Sequence, residues 1–233
     1  MYARKKKGTS KKIYLAITLL VILIVSVAAV VYYTGASSAR PVTVGVHVGD
    51  TFTYSMKGSA SLQSIDAVVP EDFYQINQTD FYRVTVVDIN TSHVRLNSLW
   101  RFLNGTEIDE NQDLDLSDGA KSNEYGFWSI YAANLNIGDY LRPNGKDYVK
   151  VNNTDTFTYA DSVRQRNYFK MENEFRDMRD PTGSTLRYDY ISVYFDRETG
   201  MLQNLVNYQS YNNPQYTLVI TWTLVESSVW QVK

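Results

Sequence analysis

Alternating apolar and polar residues run through most of the chain after residue 41, and this period-two pattern is typical of β-strands. In the last such segment, residues 216–225, Leu218, Ile220 and Trp222 fall on one face of a strand. We count roughly nine or ten strands joined mostly by short turns, which predicts one antiparallel sheet. A sheet of that size tends to curl, so we expect a mainly β fold with a half-barrel or barrel-like sheet.

Two hairpins stand out in this pattern. The first covers residues 81–102 with a short polar turn at 89–92. The second covers residues 187–211, where the turn at 196–200 suits a type I turn closed by Gly200 in the left-handed conformation.

Other segments are less regular. The alternating valines of residues 42–48 predict a further strand. Residues 167–178 fit a helix or a strand, and the turn that follows them favours the strand. Residues 70–76 predict a short helix with Pro70 in its first turn.

Residues 125–136 predict a second helix, ended by Gly138. Its large apolar side chains recur at helical spacing: Phe127, Ile130, Tyr131 and Leu135. We expect this helix to lie on the concave face of the sheet. There Trp128, Tyr131 and Leu135 are candidate ligand-lining residues, and simple core packing is the alternative explanation of the stripe.

Residues 13–33 form an apolar stretch of 21 residues without a formal charge. As a helix this stretch would be roughly 30 Å long, which matches the hydrocarbon core of a bilayer. Six Lys and Arg residues precede it, and the positive-inside rule keeps such a tail in the cytoplasm. We therefore predict a cytoplasmic basic tail (1–12), a transmembrane helix (13–33), a linker (34–41) and an extracytoplasmic β-rich domain (42–233).

Two other interpretations of the apolar segment stay open. A secretory signal also begins with basic residues, and small residues at 34–39 suit a signal peptidase, although signal apolar regions usually run about 7–15 residues. A pilin-type leader cut after Gly8 would make the segment a filament core, but Lys11 and Lys12 would then place two charges inside it. With either an anchor or a cleaved signal, the body of the protein is outside the cytoplasm.

Charge and composition narrow the classes of function. All 25 acidic residues but 17 of the 23 basic residues follow the apolar segment, which gives the exterior part a formal charge of −8. Nucleic-acid binding needs a basic face, so we expect no nucleic-acid partner. The chain has no cysteine, which excludes disulfides, thiolate metal sites, cysteine nucleophiles and an acylated lipoprotein cysteine.

No catalytic motif is recognisable in the sequence. The two histidines, His47 and His93, lie on unrelated segments, away from any Gly-x-Ser-x-Gly or helical His-Glu pattern. The sequence also lacks a P-loop and a Gly-x-Gly-x-x-Gly motif. We therefore favour a protein that is not an enzyme, and an exterior hydrolase remains as a third alternative.

The acidic stretch at residues 109–119 is the one local cluster with ligand chemistry. Four oxygen-bearing residues occupy positions 1, 3, 5 and 12 of a calcium loop: Asp113, Asp115, Ser117 and Glu124. Gly119, however, stands at position 7, whereas the calcium loop has its glycine at position 6. Calcium is thus the one candidate cofactor, and a solvated acidic loop is the alternative.

Four Asn-x-Ser/Thr sequons fit an exterior location and are candidates for glycosylation: Asn77, Asn90, Asn104 and Asn152.

Four segments of the exterior part are distinctive: GDTFTY (49–54), WRFLNGTE (100–107), FWSIYAANLNIGD (127–139) and VYFDRETGML (193–202). In them the chain resembles uncharacterised archaeal proteins with one N-terminal membrane anchor and a β-rich exterior domain, over most of residues 42–232. That resemblance implies no activity and transfers no functional residue. More distantly, the sheet-and-helix pattern with its Asp-x-x-Thr-Gly hairpin resembles the half-barrel of periplasmic lipoprotein carriers, which hold acyl chains between sheet and helix.

We expect a membrane-anchored extracytoplasmic binding protein of the cell envelope that holds an apolar or lipid-like ligand between sheet and helix. The alternative is a structural component of the cell surface or of a surface filament. The expected partners are the membrane, a lipid-like ligand or another envelope protein. The 19 tyrosines and 4 tryptophans fit a sugar- or lipid-binding surface, and they equally fit cross-strand packing.

Overall fold

The computed structural model describes residues 42–123, 126–146, 148–177, 180 and 182–232. These residues form nine strands and one helix in the order β1 (Thr51–Leu62), α1 (Glu71–Asn77), β2 (Thr79–Asn90), β3 (His93–Phe102), β4 (Glu107–Asp115), β5 (Asn153–Thr158), β6 (Val163–Arg176), β7 (Leu186–Asp196), β8 (Leu202–Asn212) and β9 (Gln215–Ser227). All neighbouring strands are antiparallel, in the spatial order β4-β3-β2-β1-β9-β8-β7-β6-β5. The predicted mainly β antiparallel fold is therefore confirmed.

The sheet is open. In the described part of the chain, the edge strands β4 and β5 pair only with β3 and β6, so the sheet does not close into a barrel. The predicted basic tail, transmembrane helix and linker (1–12, 13–33 and 34–41) lie outside the described residues. Among those that are described, no helix is long and apolar enough to cross a membrane.

Both predicted hairpins are confirmed. β2 pairs with β3 around a turn in which Thr91 has a φ of 57°, and β7 pairs with β8 around residues 197–201. Gly200 has a φ of +76°, and a Cβ atom there would lie 2.0 Å from the carbonyl oxygen of Tyr131. Glycine is required at this position for both reasons.

The predictions for the shorter segments are partly confirmed and partly wrong. The helix expected at residues 70–76 is confirmed as α1, and the strand interpretation of 167–178 is confirmed as far as β6 extends. The strand expected at 42–48 is wrong, since these residues belong to no strand. The carbonyl of Thr43 instead accepts a hydrogen bond from Ala133 N (2.8 Å).

The helix predicted over residues 125–136 is also wrong. This segment belongs to a long connection between β4 and β5, residues 116–152, which we call the covering loop; its described part contains no helix. The backbone N–H of Tyr131 donates to Gly200 O (3.0 Å) and that of Asn134 to Arg197 O (2.7 Å). Because these amides bond to the distant β7–β8 turn, they are not available for the ladder of a helix.

The covering loop packs against one face of the sheet, which we call the inner face. Its larger buried apolar side chains are Leu116, Phe127, Ile130, Tyr131, Leu135, Leu141 and Val151. The ring of Phe127 stacks on Tyr54 with centroids 5.4 Å apart, and Tyr131 meets Phe195 at 4.7 Å. The apolar spacing in this segment therefore reports contact with the core, although the backbone is not helical.

A buried ionic cluster fixes the turn end of β7, and we call it the Asp196 corner. Arg164 donates to Asp196 through Nε (2.6 Å) and Nη2 (2.9 Å). Thr199 adds bonds from its backbone N (2.8 Å) and Oγ1 (2.9 Å), and Gln203 adds one from Nε2 (3.3 Å). The guanidinium of Arg164 also lies over the ring of Trp230 at 4.4 Å. The corner thereby joins β6, β7, β8 and the C-terminal segment.

Candidate ligand-binding cleft

A cleft of about 640 Å³ lies on the inner face between α1 and strands β6–β9, and we call it the cleft. Its apolar lining consists of Phe73, Ile76, Phe175, Tyr211, Leu218 and Ile220. The covering loop contributes no lining residue here. The volume falls within the range of about 300–1,000 Å³ that is usual for small-molecule sites.

Helix α1 forms one wall of the cleft and is held against β1 at a glycine. Asn77 Oδ1 accepts from Gly58 N (2.8 Å), and Asn77 Nδ2 donates to Gly58 O (2.9 Å). A Cβ atom on Gly58 would lie 2.7 Å from Cζ of Phe73. The absence of a side chain at Gly58 is thus what allows the ring of Phe73 to rest on the sheet.

Two further cavities adjoin the cleft around Ile76. One, of about 240 Å³, is lined by Ile76, Phe127, Trp128, Leu205, Asn207 and Trp222. The other, of about 450 Å³, is lined by Met56, Ile76, Tyr82, Trp100, Glu110 and Trp222. Together the three cavities extend the open part of the inner face from β6 to β4.

Along the strands, the floor of the cleft changes from polar to apolar. The inner-face positions of β7 are, in order, Arg187, Asp189, Ile191 and Val193. Their partners on β8 are Tyr211, Gln209, Asn207 and Leu205. Inner-face positions recur about every 6.6 Å along a strand, so the charged end lies roughly 20 Å from Val193 and Leu205.

The charged end of the floor is an ion pair. Arg187 Nε lies 2.9 Å from Asp189 Oδ1, and Arg187 Nη2 donates to Asp189 Oδ2 (2.9 Å). The guanidinium also lies 4.4 Å from the ring centroid of Phe175. Asp189 is 4% exposed, and burial raises the pKa of its carboxyl although Arg187 lowers it. A buried carboxylate and a partly exposed guanidinium thus meet at one end of the cleft, whose other polar lining residues are Arg176, Asp177 and Gln209.

Two amide side chains lie beside this pair on β8. Gln209 Oε1 accepts a hydrogen bond from the hydroxyl of Tyr211 (3.1 Å), so Nε2 of Gln209 takes no part in this contact. Asn207 Oδ1 is buried without a hydrogen-bond partner among the described residues. Unsatisfied polar atoms on the floor of a cavity are available to bind a ligand.

The three ligand-lining residues predicted from the sequence take different places. Trp128 lines the 240 Å³ cavity and is 37% exposed. Tyr131 and Leu135 are buried in the main core, where Tyr131 Oη lies 3.1 Å from Ser129 Oγ. The structure thus brings Trp128 to the open part of the inner face and places the other two beneath the covering loop.

The acidic residues considered for calcium lie mainly on an edge strand. Asp113 and Asp115 belong to β4, with Asp113 Oδ1 2.7 Å from Arg95 Nε and Asp115 Oδ2 3.6 Å from His93 Nε2. Ser117 N donates to Asp115 Oδ1 (2.8 Å), and Glu124 lies outside the described residues. Among the described residues, no group of three or more His, Cys, Asp or Glu side chains is placed to hold a metal ion.

The four sequon asparagines are all exposed. Asn90 ends β2, Asn104 lies in the turn between β3 and β4, and Asn152 precedes β5, where its Oδ1 accepts from Lys170 N (2.9 Å). Asn77 differs because its Nδ2, the atom that would carry a glycan, donates to the backbone of Gly58.

The charged pair of the cleft was not found by the sequence reasoning, although β7 contains a signal. Arg187 and Asp189 share the strand phase of Ile191 and Val193, which are apolar. Two charges in the inward phase of an otherwise apolar strand indicate a buried polar site.

Comparisons of the chain with protein-family models, with curated proteins and with solved structures found no match.

Proposed function

We propose that this chain is a membrane-anchored extracytoplasmic protein that holds an apolar or lipid-like ligand in the cleft. The observation that carries the proposal is the cleft itself: about 640 Å³ of space, a mainly apolar lining, and a few polar groups at one end, among them Arg187 with its buried partner Asp189. A few convergent polar groups in an apolar cavity are the usual composition of a small-molecule site.

The energetics favour an elongated apolar ligand. Each methylene group transferred from water to an apolar site contributes about 0.8 kcal/mol. The cleft and the 240 Å³ cavity share Ile76 and Ile220, so one chain has a continuous apolar path from Phe73 to Trp222.

The first test is native mass spectrometry of gently extracted full-length protein. We expect a copurifying lipid-like mass, and a clean apo mass together with no uptake of the uncharged dye Nile red would contradict the proposal.

A variant pair locates the binding. Ile220→Trp fills the cleft, whereas Val219→Trp places the same ring on the outer face of β9. We expect Ile220→Trp to weaken Nile red binding at least tenfold, since losing the burial of two methylenes already costs about 1.6 kcal/mol. Val219→Trp should bind like the unmutated protein, and equal loss in both variants would place the dye elsewhere.

The anchored, exterior location rests on residues 1–33 and the positive-inside rule. Because the chain has no cysteine, a single Val48→Cys substitution at a 62% exposed position gives a label without background. We expect a membrane-impermeant maleimide to label intact cells. Labelling only after lysis would overturn the location.

A further inference from the structure

The open end of the cleft carries the donor groups of Arg187 and Gln209, with Arg176 and Asp177 also in its lining. Arg187 donates to Asp189 through Nη2, whereas its Nε lies 2.9 Å from Asp189 Oδ1 without forming a hydrogen bond, and its Nη1 makes no hydrogen bond to any described residue. Gln209 Nε2 is likewise unpaired within the described part of the chain. Both groups can only donate, so they fit a ligand head group that offers acceptor oxygens.

The donors are also held in place. Asp189 contacts one edge of the Arg187 guanidinium at two distances of 2.9 Å. The ring centroid of Phe175 lies 4.4 Å from the same guanidinium and covers one face of it. The Arg187 side chain keeps 29% of its surface exposed, at the end of the cleft. An arginine oriented in this way presents its remaining edge as a ready fork for a carboxylate or phosphate.

The apolar path along the cleft begins beside the guanidinium of Arg187. From Arg187 the inner-face positions of β9 pass from Leu218 to Ile220, where the 240 Å³ cavity begins, and then to Trp222. A ligand whose head lies at Arg187 would therefore have its tail against Ile220 and Trp222. This polarity of the cleft selects a molecule with a charged head at one end and a hydrocarbon chain at the other.

We propose that the ligand is a single-chain amphiphile with an anionic head group, whose oxygens bind Arg187 and Gln209 while its tail follows β9 toward Trp222. This inference rests on the proposed function and adds the chemistry of the head group. A carboxylate and a phosphate monoester share that chemistry, and the experiment below distinguishes them.

The test measures how well each competitor displaces Nile red from the full-length, detergent-extracted protein. The competitors are palmitate, a lysophosphatidate with the same acyl chain, and cetyl alcohol as the uncharged counterpart. We expect palmitate or lysophosphatidate to bind roughly tenfold to a hundredfold more tightly than cetyl alcohol, as one or two charge-assisted hydrogen bonds would give. The tighter of the two acids identifies the head group.

The decisive variant is Arg187→Gln/Asp189→Asn, which removes both charges at once and so leaves no unpaired carboxylate in the cleft. It should lose the preference for the acids and keep its affinity for cetyl alcohol within about twofold, since the apolar path is unchanged. The matched control is Arg166→Gln/Asp155→Asn, an outer-face pair with two contacts of similar length (2.9 and 2.7 Å) and a phenylalanine ring 4.4 Å from the guanidinium. The control should retain the preference.

The outcomes separate the two proposals. If Nile red and all three competitors fail to bind, both the proposed function and the head-group assignment are overturned. If the acids and the alcohol bind equally well, or if the Arg187→Gln/Asp189→Asn protein keeps the preference, the cleft binds apolar ligands and the head-group assignment alone is wrong.

Discussion

Two carboxylates on strand β7, Asp196 and Asp189, are both buried and both paired with an arginine, yet their surroundings differ. Asp196 is 0% exposed and accepts hydrogen bonds from Arg164, Thr199 and Gln203. Asp189 is 4% exposed, and among the described residues only Arg187 contacts its oxygens. The first carboxylate has all the donors it can use, whereas the second has one partner.

The arginines differ in the same way. Arg164 also donates to Glu198 (2.9 Å) through Nη2 and lies over Trp230, so its Nε, its Nη2 and one face of its guanidinium are occupied within the protein. Arg187 keeps donors that face the cleft. A buried ion pair that is saturated with partners holds elements together, while one that is left incomplete beside a cavity is suited to bind a ligand.

The largest expected effect is at the Asp196 corner. Asp196→Ala leaves the donors of Arg164, Thr199 and Gln203 without their acceptor, and removing one partner of a buried pair costs about 3–5 kcal/mol. We expect this loss in the free energy of unfolding from urea titration. Asp155→Ala removes the 38% exposed partner of Arg166 and should cost at most about 1 kcal/mol. Equal losses in the two variants would remove the distinction that we draw for the corner.

The next effect concerns the turn beside the corner. Gly200→Ala puts a Cβ atom 2.0 Å from the backbone oxygen of Tyr131 and forces a φ of +76° on alanine. Because a backbone atom cannot rotate away, the turn and the covering loop must separate, and we expect a loss of at least about 2 kcal/mol in urea titration. A loss below 0.5 kcal/mol, roughly the effect of a neutral surface substitution, would contradict the close approach.

The corresponding glycine of the cleft should respond more mildly. In Gly58→Ala the neighbour is the ring of Phe73, 2.7 Å from the new Cβ atom, and α1 carries that ring. The helix can shift away from β1, so we expect a loss of about 1–2 kcal/mol in stability together with weaker Nile red binding. If stability falls as far as in Gly200→Ala, α1 is as rigid as the turn.

The sheet was predictable because its signals are local. Period-two alternation along a strand and the residues of the turn at 196–200 lie next to one another in the chain, and they determined both hairpins correctly. The fold class follows from the same pattern repeated over nine strands in the described part of the chain.

The covering loop was not predictable because its backbone partners are distant in sequence. Phe127, Ile130, Tyr131 and Leu135 have the spacing of a helix face, and a loop that touches the core can have it too. The difference lies in hydrogen bonds to Thr43, Arg197 and Gly200, which no local pattern contains. The strand expected at 42–48 failed for the same reason.

The cleft was only partly accessible to sequence reasoning. The sequence predicts that the helix beside the ligand space lies at residues 125–136, whereas the helix beside the cleft is α1. Arg187 and Asp189 are recognisable in the sequence as charged residues at the inward-facing positions of an otherwise apolar strand. Gln209 and Phe175 belong to the two neighbouring strands, so their proximity to this pair cannot be seen in the sequence of β7. Their arrangement depends on strand order, which the alternation does not specify.

A neutral exchange made at both ion pairs compares them directly. Arg187→Gln/Asp189→Asn should change the free energy of unfolding by less than about 1 kcal/mol, since a buried pair replaced as a whole is often nearly neutral. Arg164→Gln/Asp196→Asn should cost about 2 kcal/mol, because the amide cannot accept all the bonds from Thr199 and Gln203 that the carboxylate accepts. Urea titration of the two double variants measures the difference. A larger loss in Arg187→Gln/Asp189→Asn than in Arg164→Gln/Asp196→Asn would show that the pair in the cleft stabilises the fold.

The smallest effect is in the pH dependence of stability. Burial raises the pKa of Asp189 above its ordinary value of 3.8, so the folded protein binds this proton more tightly than the unfolded chain. Stability from this group is therefore greatest below about pH 4 and falls as the pH rises through the folded pKa. The stability of the unmutated protein relative to Asp189→Asn, from urea titrations at several pH values, should decrease with rising pH over this window.

Asp180 supplies a control of opposite sign. It is partly exposed, and hydrogen bonds from the hydroxyl and the backbone N–H of Thr182, with a further one from Thr185 N, lower the pKa of its carboxyl. Its stabilising contribution is present above the unfolded pKa and is lost as the pH falls. The stability relative to Asp180→Asn should therefore increase with rising pH, while the difference for Asp189→Asn decreases. Slopes of the same sign would mean that Asp189 is stabilised as an ion like an ordinary surface carboxylate, and that its contact with Arg187 outweighs its burial.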